Sequence, residues 1–399
     1  MGPGDEAPAG VGPPGRDSGD PGLRGAPAAG AGRVWLREIG VTAFRNLPDQ
    51  SIAPDAEINL ICGDNGQGKT ALLEAVYLVA TSRSFRAPRL REIVRHGEAA
   101  FSVRALFAEQ RGELPPMDRL QSAALHKGTL HLRLDGNEPD NIVSYARRSP
   151  VVVFYPDELQ LSNGPAALRR RLLDRLGFYL APSSVRAGTR YARALRARQE
   201  LLRRPSTSLA ELEAFELVAA REGASLTRSR ERAVRDFAPE LMRAFGKIAS
   251  PDLRLTVRYA AGGSGDEAVA AEELRSRRHR DVGAKVATFG PHKDELALEL
   301  DGYPARQVAS QGQHRALALA MKAAESASIA SSTGLWPIQL LDDISSELDP
   351  SRTEALFSFL EETRGQLLIT STREGLLREA LAASNPKVFQ VLGGVIREA

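Results

Sequence analysis

The sequence predicts an α/β protein in which a phosphate-binding domain is split by an inserted, mainly helical second domain. Three observations carry that prediction. Residues 63–70 read GDNGQGKT and follow the apolar run INLIC. Residues 338–343 read IQLLDD, an apolar run ending in two carboxylates. Between them, from Ala166 to about Gly246, apolar residues recur at helical spacing with few strand signals.

Composition sets the outer bounds. The 399 residues, 42% of them hydrophobic, suffice for one large domain or two ordinary ones. Basic and acidic residues nearly balance, 53 against 50, so a polyanionic partner must be met by local patches rather than by a global field. The lone cysteine, Cys62, excludes a disulfide framework and fits a cytoplasmic location. No apolar run reaches the length of a membrane span, so none is expected. Asp5 and Glu6, with no apolar stretch behind them, do not read as a secretory signal.

The elements follow in order. Residues 1–32 hold 10 Gly and 6 Pro and almost nothing large and apolar. Such a segment buries too little surface to offset its ordering entropy and is expected to be a disordered tail. The first part of the phosphate-binding domain spans 33–155. In it VWLREIGVTAF and EINLICG read as strands, separated by Pro48 and Pro54. TALLEAVYLVATS reads as a helix that turns Leu72, Leu73, Val76, Tyr77 and Val79 or Ala80 inward. AAFSVRALFAE, TLHLRLDG and PVVVFY supply further strands.

The helical insert spans 156–280. Pro205 interrupts its pattern, and Ser208 with Glu211 three residues on predicts a capping box. LRLTVRYA at 253–260 reads as a strand and GGSGD at 262–266 as a loop. Over 281–399 the α/β character returns. KVATF, ELALELDG, PIQLLDD and GQLLITS read as strands, and HRALALAMKAAESASIA as a helix. No internal repeat is present.

The motifs point to nucleotide chemistry. Gly63, Gly66 and Gly68 let backbone N–H groups approach a phosphate, Lys69 reaches the β- and γ-phosphates, and Thr70 offers its hydroxyl to Mg²⁺. The helix starting at Gly68–Lys69 aims its positive end at the anion. A strand before and an amphipathic helix after separate this loop from a chance glycine-rich turn. Asp342 and Asp343, at the end of a buried strand, suit Mg²⁺ coordination and polarisation of an attacking water respectively. Alone, the pair would as readily cap a strand into a turn; the phosphate loop in the same chain decides the matter. Most of the chain separates Lys69 from Asp342, so a long insert must lie between two halves of one site.

Ser310–Arg315, SQGQHR, precedes a helix, with Ser310 a candidate N-cap and Gly312 permitting a tight turn. In isolation this is an ordinary loop and cap. With the phosphates already cradled elsewhere, a second anion-binding helix end can serve a nucleotide held by another subunit. Arginines cluster at Arg83, Arg86, Arg89, Arg91 and Arg95, and at Arg169, Arg170, Arg171 and Arg175. Arg186, Arg190, Arg193 and Arg196 form one helical stripe. Such faces can follow a phosphate backbone without reading sequence, or can be solvated, salt-bridged helix surface.

Taken together, GDNGQGKT, SQGQHRALALAMK and LLDDISSELD resemble the ATP-binding-cassette (ABC) superfamily, and more narrowly the RecF family of DNA replication and repair proteins. VTAFRNL at 41–47, TSRSFRAPRLREIVRHGE at 81–98, VVFYPDELQLSNGPAALRRRLLD at 152–174 and GPHKDELALELDG at 290–302 extend the resemblance over nearly all of 33–399. The resemblance implies an ABC-type P-loop ATPase head with an inserted helical lobe, using ATP and Mg²⁺. It assigns ATP binding to Gly63, Asp64, Asn65, Gly66, Gln67, Gly68, Lys69, Thr70 and Arg45, with Asn65 near the γ-phosphate. Asp342 takes the Mg²⁺-associated position and Asp343 the catalytic one. Ser310, Gln311, Gly312 and Gln313 match the signature that closes over ATP on the opposite subunit. Ser346, Glu347, Leu348 and Asp349 match the D-loop of the dimer interface.

The departures are also informative. Thr370, Ser371 and Thr372 stand where transporters carry a switch histidine, which places a hydroxyl, taken as that of Ser371, at the γ-phosphate. His314 replaces a common Gln, and Asp157 or Glu158 stands in the lobe-connecting loop. Asp343, shorter than the Glu of many relatives, implies slow hydrolysis. The function implied is a weak, DNA-stimulated ATPase. It forms an ATP-dependent homodimer that clamps duplex and gapped DNA and promotes RecA loading with RecR and RecO. DNA contacts are expected from Arg83, Arg86, Arg170, Arg186, Arg190 and Arg193. A transporter ATPase would need the histidine, a chromosome-maintenance head a far longer coiled coil, and a nuclease a further metal-binding domain. The sequence assigns no role to Gly290–Asp294.

Overall fold

The computed structural model describes residues 31–206, 208–249, 252–343, 364–373, 375, 377, 381 and 384–399. Nearly all of the expected tail, and the D-loop residues Ser346, Glu347, Leu348 and Asp349, lie outside them.

The chain opens with β1 (Gly32–Thr42), β2 (Gln50–Ile52) and β3 (Ile58–Cys62), then α1 (Lys69–Thr81). Next come β4 (Phe101–Gln110), β5 (Met117–His126), β6 (Thr129–Leu134), α2 (Ile142–Ala146) and β7 (Val151–Phe154). Helices α3 (Ala166–Leu180), α4 (Ser183–Arg203) and α5 (Leu209–Ile248) follow, then β8 (Leu255–Ala260) and α6 (Glu267–Ala284). After β9 (Glu295–Leu300), β10 (Tyr303–Pro304) and α7 (Ala305–Val308) runs the long α8 (Gln311–Thr333). The chain closes through β11 (Leu335–Trp336), β12 (Ile338–Leu341), β13 (Leu367–Ser371), β14 (Lys387–Leu392) and β15 (Val395–Glu398).

The central sheet has the order β15-β14-β3-β13-β12-β7, parallel except for β15. Its strands β3, β7, β12 and β13 are buried on both faces, which is why INLIC, VVVF and LLITS read as unbroken apolar runs. Alternate side chains enter different cores. Leu60, Cys62, Leu341, Leu367 and Ile369 pack with α3, α5 and α8. Ile61, Ile338, Leu340 and Leu368 pack with α1 and the second sheet. That sheet, β11-β1-β4-β5-β6 with β2 against β1, covers α1 on its far side. Sandwiched so, α1 buries Ala71, Leu72, Leu73, Val76, Leu78, Val79 and Ala80, nearly its whole circumference, with Tyr77 only partly covered. Gln366 stitches the two sheets, its buried amide accepting from Leu36 N at 2.8 Å and donating to Leu36 O at 2.9 Å.

Between β7 and β9 lie α3–α6. The helices α4, α5 and α6 close around an ionic core. Arg198, 1% exposed, donates to Glu216 at 3.0 and 3.1 Å and to Asp281 at 2.8 Å, while Arg278 donates to the other Glu216 oxygen. A third sheet, β10-β9-β8, pairs strands from either side of position 280.

Two local expectations are corrected. KVATF is not a strand: Lys285 ends α6 in a left-handed conformation with φ 53°. Its neighbours hydrogen-bond to side chains, Ala287 N to Gln199 and Thr288 to Asp281. Only half the capping box at Ser208 forms, Glu211 N donating to Ser208 Oγ at 3.3 Å. The Glu211 carboxylate instead faces Arg204 at 3.8 Å. Finally, β5, α6, β14 and β15 carry no expectation in the sequence reading.

Candidate functional site

The strand order creates the site. In the central sheet β13 lies between β3, which runs into the glycine loop, and β12, which ends at Asp342. Parallel strands bring these ends to one edge, where open α/β sheets hold ligands. Thr70, at the start of α1, donates from Oγ1 to Asp342 Oδ1 at 2.8 Å. Residues at opposite ends of the sequence therefore meet directly.

The loop fits a polyphosphate. Gly68 caps α1 with φ 116°, and a Cβ there would lie 2.8 Å from Leu47 Cδ2. A Cβ on Gly63 would lie 2.5 Å from Val391 O, so only glycine lets the loop run this close to β14. Asn46 Nδ2 donates to Gly66 O at 3.0 Å, and Gln67 Oε1 accepts from Gly393 N at 2.6 Å. Gln67, expected among the ATP ligands, thus uses its side chain to pin the loop to the β14–β15 turn. Asp64 and Asn65 are exposed. Lys69 Nζ donates to Gly63 O at 2.6 Å and Asp64 O at 2.9 Å, poised at the loop's mouth. Burial pushes the Lys69 pKa down, while Asp343, Asp342 and Asp64 pull it back up.

The carboxylates sit opposite. Burial raises the pKa of Asp342, offset by hydrogen bonds from Thr370 and Thr70 and by the charge of Arg86. Among the described residues no group of three or more His, Cys, Asp or Glu could hold a metal unaided. The donor set fits Mg²⁺ in another way: one hydroxyl, one carboxylate, and remaining positions left to phosphate oxygens and water. The Thr70 hydroxyl can ligate a cation through a lone pair while its proton stays directed at Asp342 Oδ1. Asp343 follows with φ 50°, its N–H donating to Thr370 Oγ1 at 3.0 Å.

Ser371, the hydroxyl expected at the γ-phosphate, adjoins the glycine loop, its carbonyl accepting from Gly63 N at 3.3 Å. Successive strand residues point to opposite faces, and it is Thr370 that faces the carboxylates, donating to Asp342 Oδ1 at 2.8 Å. Ser371 Oγ accepts from Arg373 N at 2.8 Å. The register is the only signal for the difference. Arg45 is tied up elsewhere: Nε and Nη2 grip the buried Glu74 at 2.9 and 2.8 Å, and Nη1 donates to Glu92 O at 3.0 Å. It braces α1 beside the loop that its neighbour Asn46 touches.

Ser310 and Gln313 form a reciprocal capping box at the start of α8. Ser310 and Gln311 are exposed, and among the described residues no hydrogen bond links Ser310–Gln313 to the glycine loop. Just inside, His314 Nδ1 meets Ser162 Oγ at 3.1 Å, and burial lowers its pKa. Deeper in α8, Glu325 pairs with Lys322 and with Arg175 at 2.7 Å; Lys322 and Arg175 also reach Glu158 at 3.3 and 3.4 Å.

The arginine clusters separate by role. Arg169 is buried against Glu295 at 2.6 Å, Arg175 serves Glu325, and Arg170 donates inward to Asp294 O at 2.8 Å. Arg170 is half-buried, and that one bond leaves its other donors open. Arg83, Arg86, Arg186 and Arg193 are exposed; Arg190 is also exposed but faces Glu222 at 3.2 Å.

Gly290–Asp294 now has a role. Asp294, fully buried, accepts from Arg230 Nη1 at 2.8 Å, from Gly262 N at 2.8 Å and from the Tyr259 hydroxyl. His292 Nδ1 meets Tyr191 Oη at 2.7 Å. The segment therefore fastens β8, β9, α4 and α5 to one another.

Comparison with known proteins agrees with this geometry. The family model described as the RecF/RecN/SMC N terminal domain matches residues 35–397. The DNA replication and repair protein RecF of Anaeromyxobacter sp. (strain Fw109-5) is 38% identical over 371 residues, covering 90% of this chain and 98% of the relative. RecF of Myxococcus xanthus (strain DK1622) is 35% identical over 372 residues, with 90% and 96% covered. A solved structure of the recombination mediator protein RecF-ATPrS in the RecFOR pathway superposes with a TM-score of 0.82 at 25% identity, covering 92% of this chain and 99% of the other. The Smc head domain from Pyrococcus furiosus, solved with an extended coiled coil and the C-terminal domain of ScpA, has a TM-score of 0.55 at 15% identity, covers 92% and 96%, and shares the fold.

Proposed function

The chain belongs to the RecF family of DNA replication and repair proteins, and from that premise we propose that it is an ATP-driven clamp that dimerises on DNA. One observation carries the reading. Thr70 and Asp342 meet within one subunit, while the capped start of α8 stands exposed with no bond to that subunit's loop. A second copy can then present Ser310–Gln313 to a nucleotide held on the first.

The roles follow from the chemistry. The loop's N–H groups and Lys69 bind the polyphosphate, and Thr70 with Asp342 holds Mg²⁺, which supplies charge neutralisation between phosphates when bound. Asp343, beside Asp342 and within electrostatic reach of Lys69, orients the attacking water and accepts its proton. Because the nucleotide favours the closed dimer and its products do not, hydrolysis reopens the clamp. Arg83, Arg86, Arg186, Arg190 and Arg193 are the surface cations that meet the DNA backbone. Action at gapped DNA, with RecO and RecR and in support of RecA loading, is the part of the proposal drawn from the family.

Sedimentation with and without ATP and gapped duplex DNA tests it. The wild-type chain should dimerise only with ATP. Lys69→Ala should lose both nucleotide binding and dimerisation. Ser310→Arg should bind ATP as a monomer. ATP-dependent dimers of Ser310→Arg would show that the start of α8 is not the second half of the site.

A further inference from the structure

We infer that Thr370 is the positioning residue for both carboxylates, fixing Asp342 toward the metal position and Asp343 toward the attacking water; this rests on the ATPase reading above. Position singles it out. β13 is the one strand between the glycine loop and β12, with Ile369 in register with Leu341 and Thr370 with Ile61. The residue after Ile369 stands level with Asp342, and its side chain is completely buried. Ser371, the next hydroxyl, is engaged with Arg373 N.

The hydrogen-bond polarity is forced. The Asp343 N–H can only donate, so a lone pair of Thr370 Oγ1 takes it at 3.0 Å. The single hydroxyl proton is then free for Asp342 Oδ1 at 2.8 Å. Asp342 Oδ1 already receives Thr70, so two threonines, one opening α1 and one near the end of β13, set the carboxylate's plane. The same bond restrains Asp343, a non-glycine residue held at φ 50°. One hydroxyl thus ties a side chain that would hold metal to a backbone that aims the general base.

The Thr370→Val substitution keeps the shape and removes the hydroxyl. Steady-state kinetics with Mg²⁺ should show kcat for ATP reduced at least about tenfold, with KM rising only as far as the Mg²⁺ gain below is lost. Titration with a fluorescent ATP analogue gives a readout independent of turnover. Without Mg²⁺ its affinity should match wild type within about twofold, and the gain on adding Mg²⁺ should shrink several-fold. Thr370→Ser should restore both. Should the valine variant not fold, Thr370→Cys, of similar volume and a weak donor, replaces it with the same expectations. The proposal is overturned if kcat and the Mg²⁺ gain stay at wild-type level, if metal-free affinity falls in parallel with kcat, or if serine fails to rescue. A wild-type chain without ATP turnover would sink the ATPase reading alone, since the Mg²⁺ gain would still decide the role of Thr370.

Discussion

The buried carboxylate of Asp294 offers a sharp test of what holds the helical lobe together. Removing it by Asp294→Ala strands the Arg230 guanidinium, whose side chain is 6% exposed, and leaves the Tyr259 hydroxyl and Gly262 N–H without their acceptor. Breaking a buried ion pair by deleting one partner costs about 3–5 kcal/mol. Arg230 keeps Asp174 at 2.8 and 3.1 Å, but that carboxylate is half exposed, so the lower end, about 3 kcal/mol, is expected. At about 3–5 °C per kcal/mol, between the values for smaller and larger domains, the first thermal transition should fall by about 9–15 °C. Circular dichroism melts measure it. Affinity for an ATP analogue at low temperature should be unchanged, because none of the affected groups touches the glycine loop. A melt within about 2 °C of wild type would refute the keystone role, and a selective loss of nucleotide affinity would relocate the segment's role to the ATP site.

Three further outcomes are expected. Burial alone would raise the Glu325 pKa, but Arg175 and Lys322 hold it at about 2, against an ordinary 4.5. A depressed carboxylate stabilises the fold above its unfolded pKa and loses that contribution as pH falls through the folded one. The stability gap between wild type and Glu325→Gln, read from urea midpoints, should be about 3 kcal/mol near neutrality and should close between pH 4.5 and 2; a gap independent of pH would contradict this. Asp343→Asn should bind ATP and dimerise but turn over on the order of 10²–10⁴ times more slowly, and turnover within threefold of wild type would remove it as general base. Replacing Arg186 and Arg193 by Gln should lower the salt slope of DNA binding by about 2, measured by fluorescence anisotropy; an unchanged slope would take the α4 stripe off the DNA.

How much was legible depended on where the physics was local. The strands β3, β12 and β13 announce themselves because both faces are buried and almost every residue is apolar. The glycine loop is legible because its backbone can be built only from glycine at Gly63 and Gly68. By contrast α6, EAVAAEELRSRRHRDVGA, buries only Ala270, Leu274 and Asp281, so no apolar stripe marks it. MDRLQSAALH becomes β5 through its pairing with β4 and β6, a long-range cause. The site shows the same division. Lys69, Thr70 and Asp342 follow from motif and context. The bond from Thr370 to Asp342 needs the strand register, and the ties of Arg45 to Glu74 and of Arg170 to Asp294 need their long-range partners.

A chain of bonds ties the catalytic edge to the exposed start of α8. Asp342 N donates to Phe154 O at 2.8 Å, so the strand bearing the carboxylates is bonded to the end of β7. Four residues beyond Phe154, Glu158 faces both Arg175 of α3 and Lys322 of α8. Ser162, on the same connection, meets His314 within the first turn of α8. For α8 to shift alone it would have to separate Glu325 from Arg175 in a dry interior, where an abandoned charge costs several kcal/mol. Moving α3 and α8 together costs none of these bonds. The cheapest displacement of Ser310 is therefore a rotation of the helical layer as one body, pivoting where Pro156–Leu161 joins β7. A partner's nucleotide that draws Ser310 inward would carry α3 with it, and with α3 the arginine-bearing helix α4 that follows in the chain.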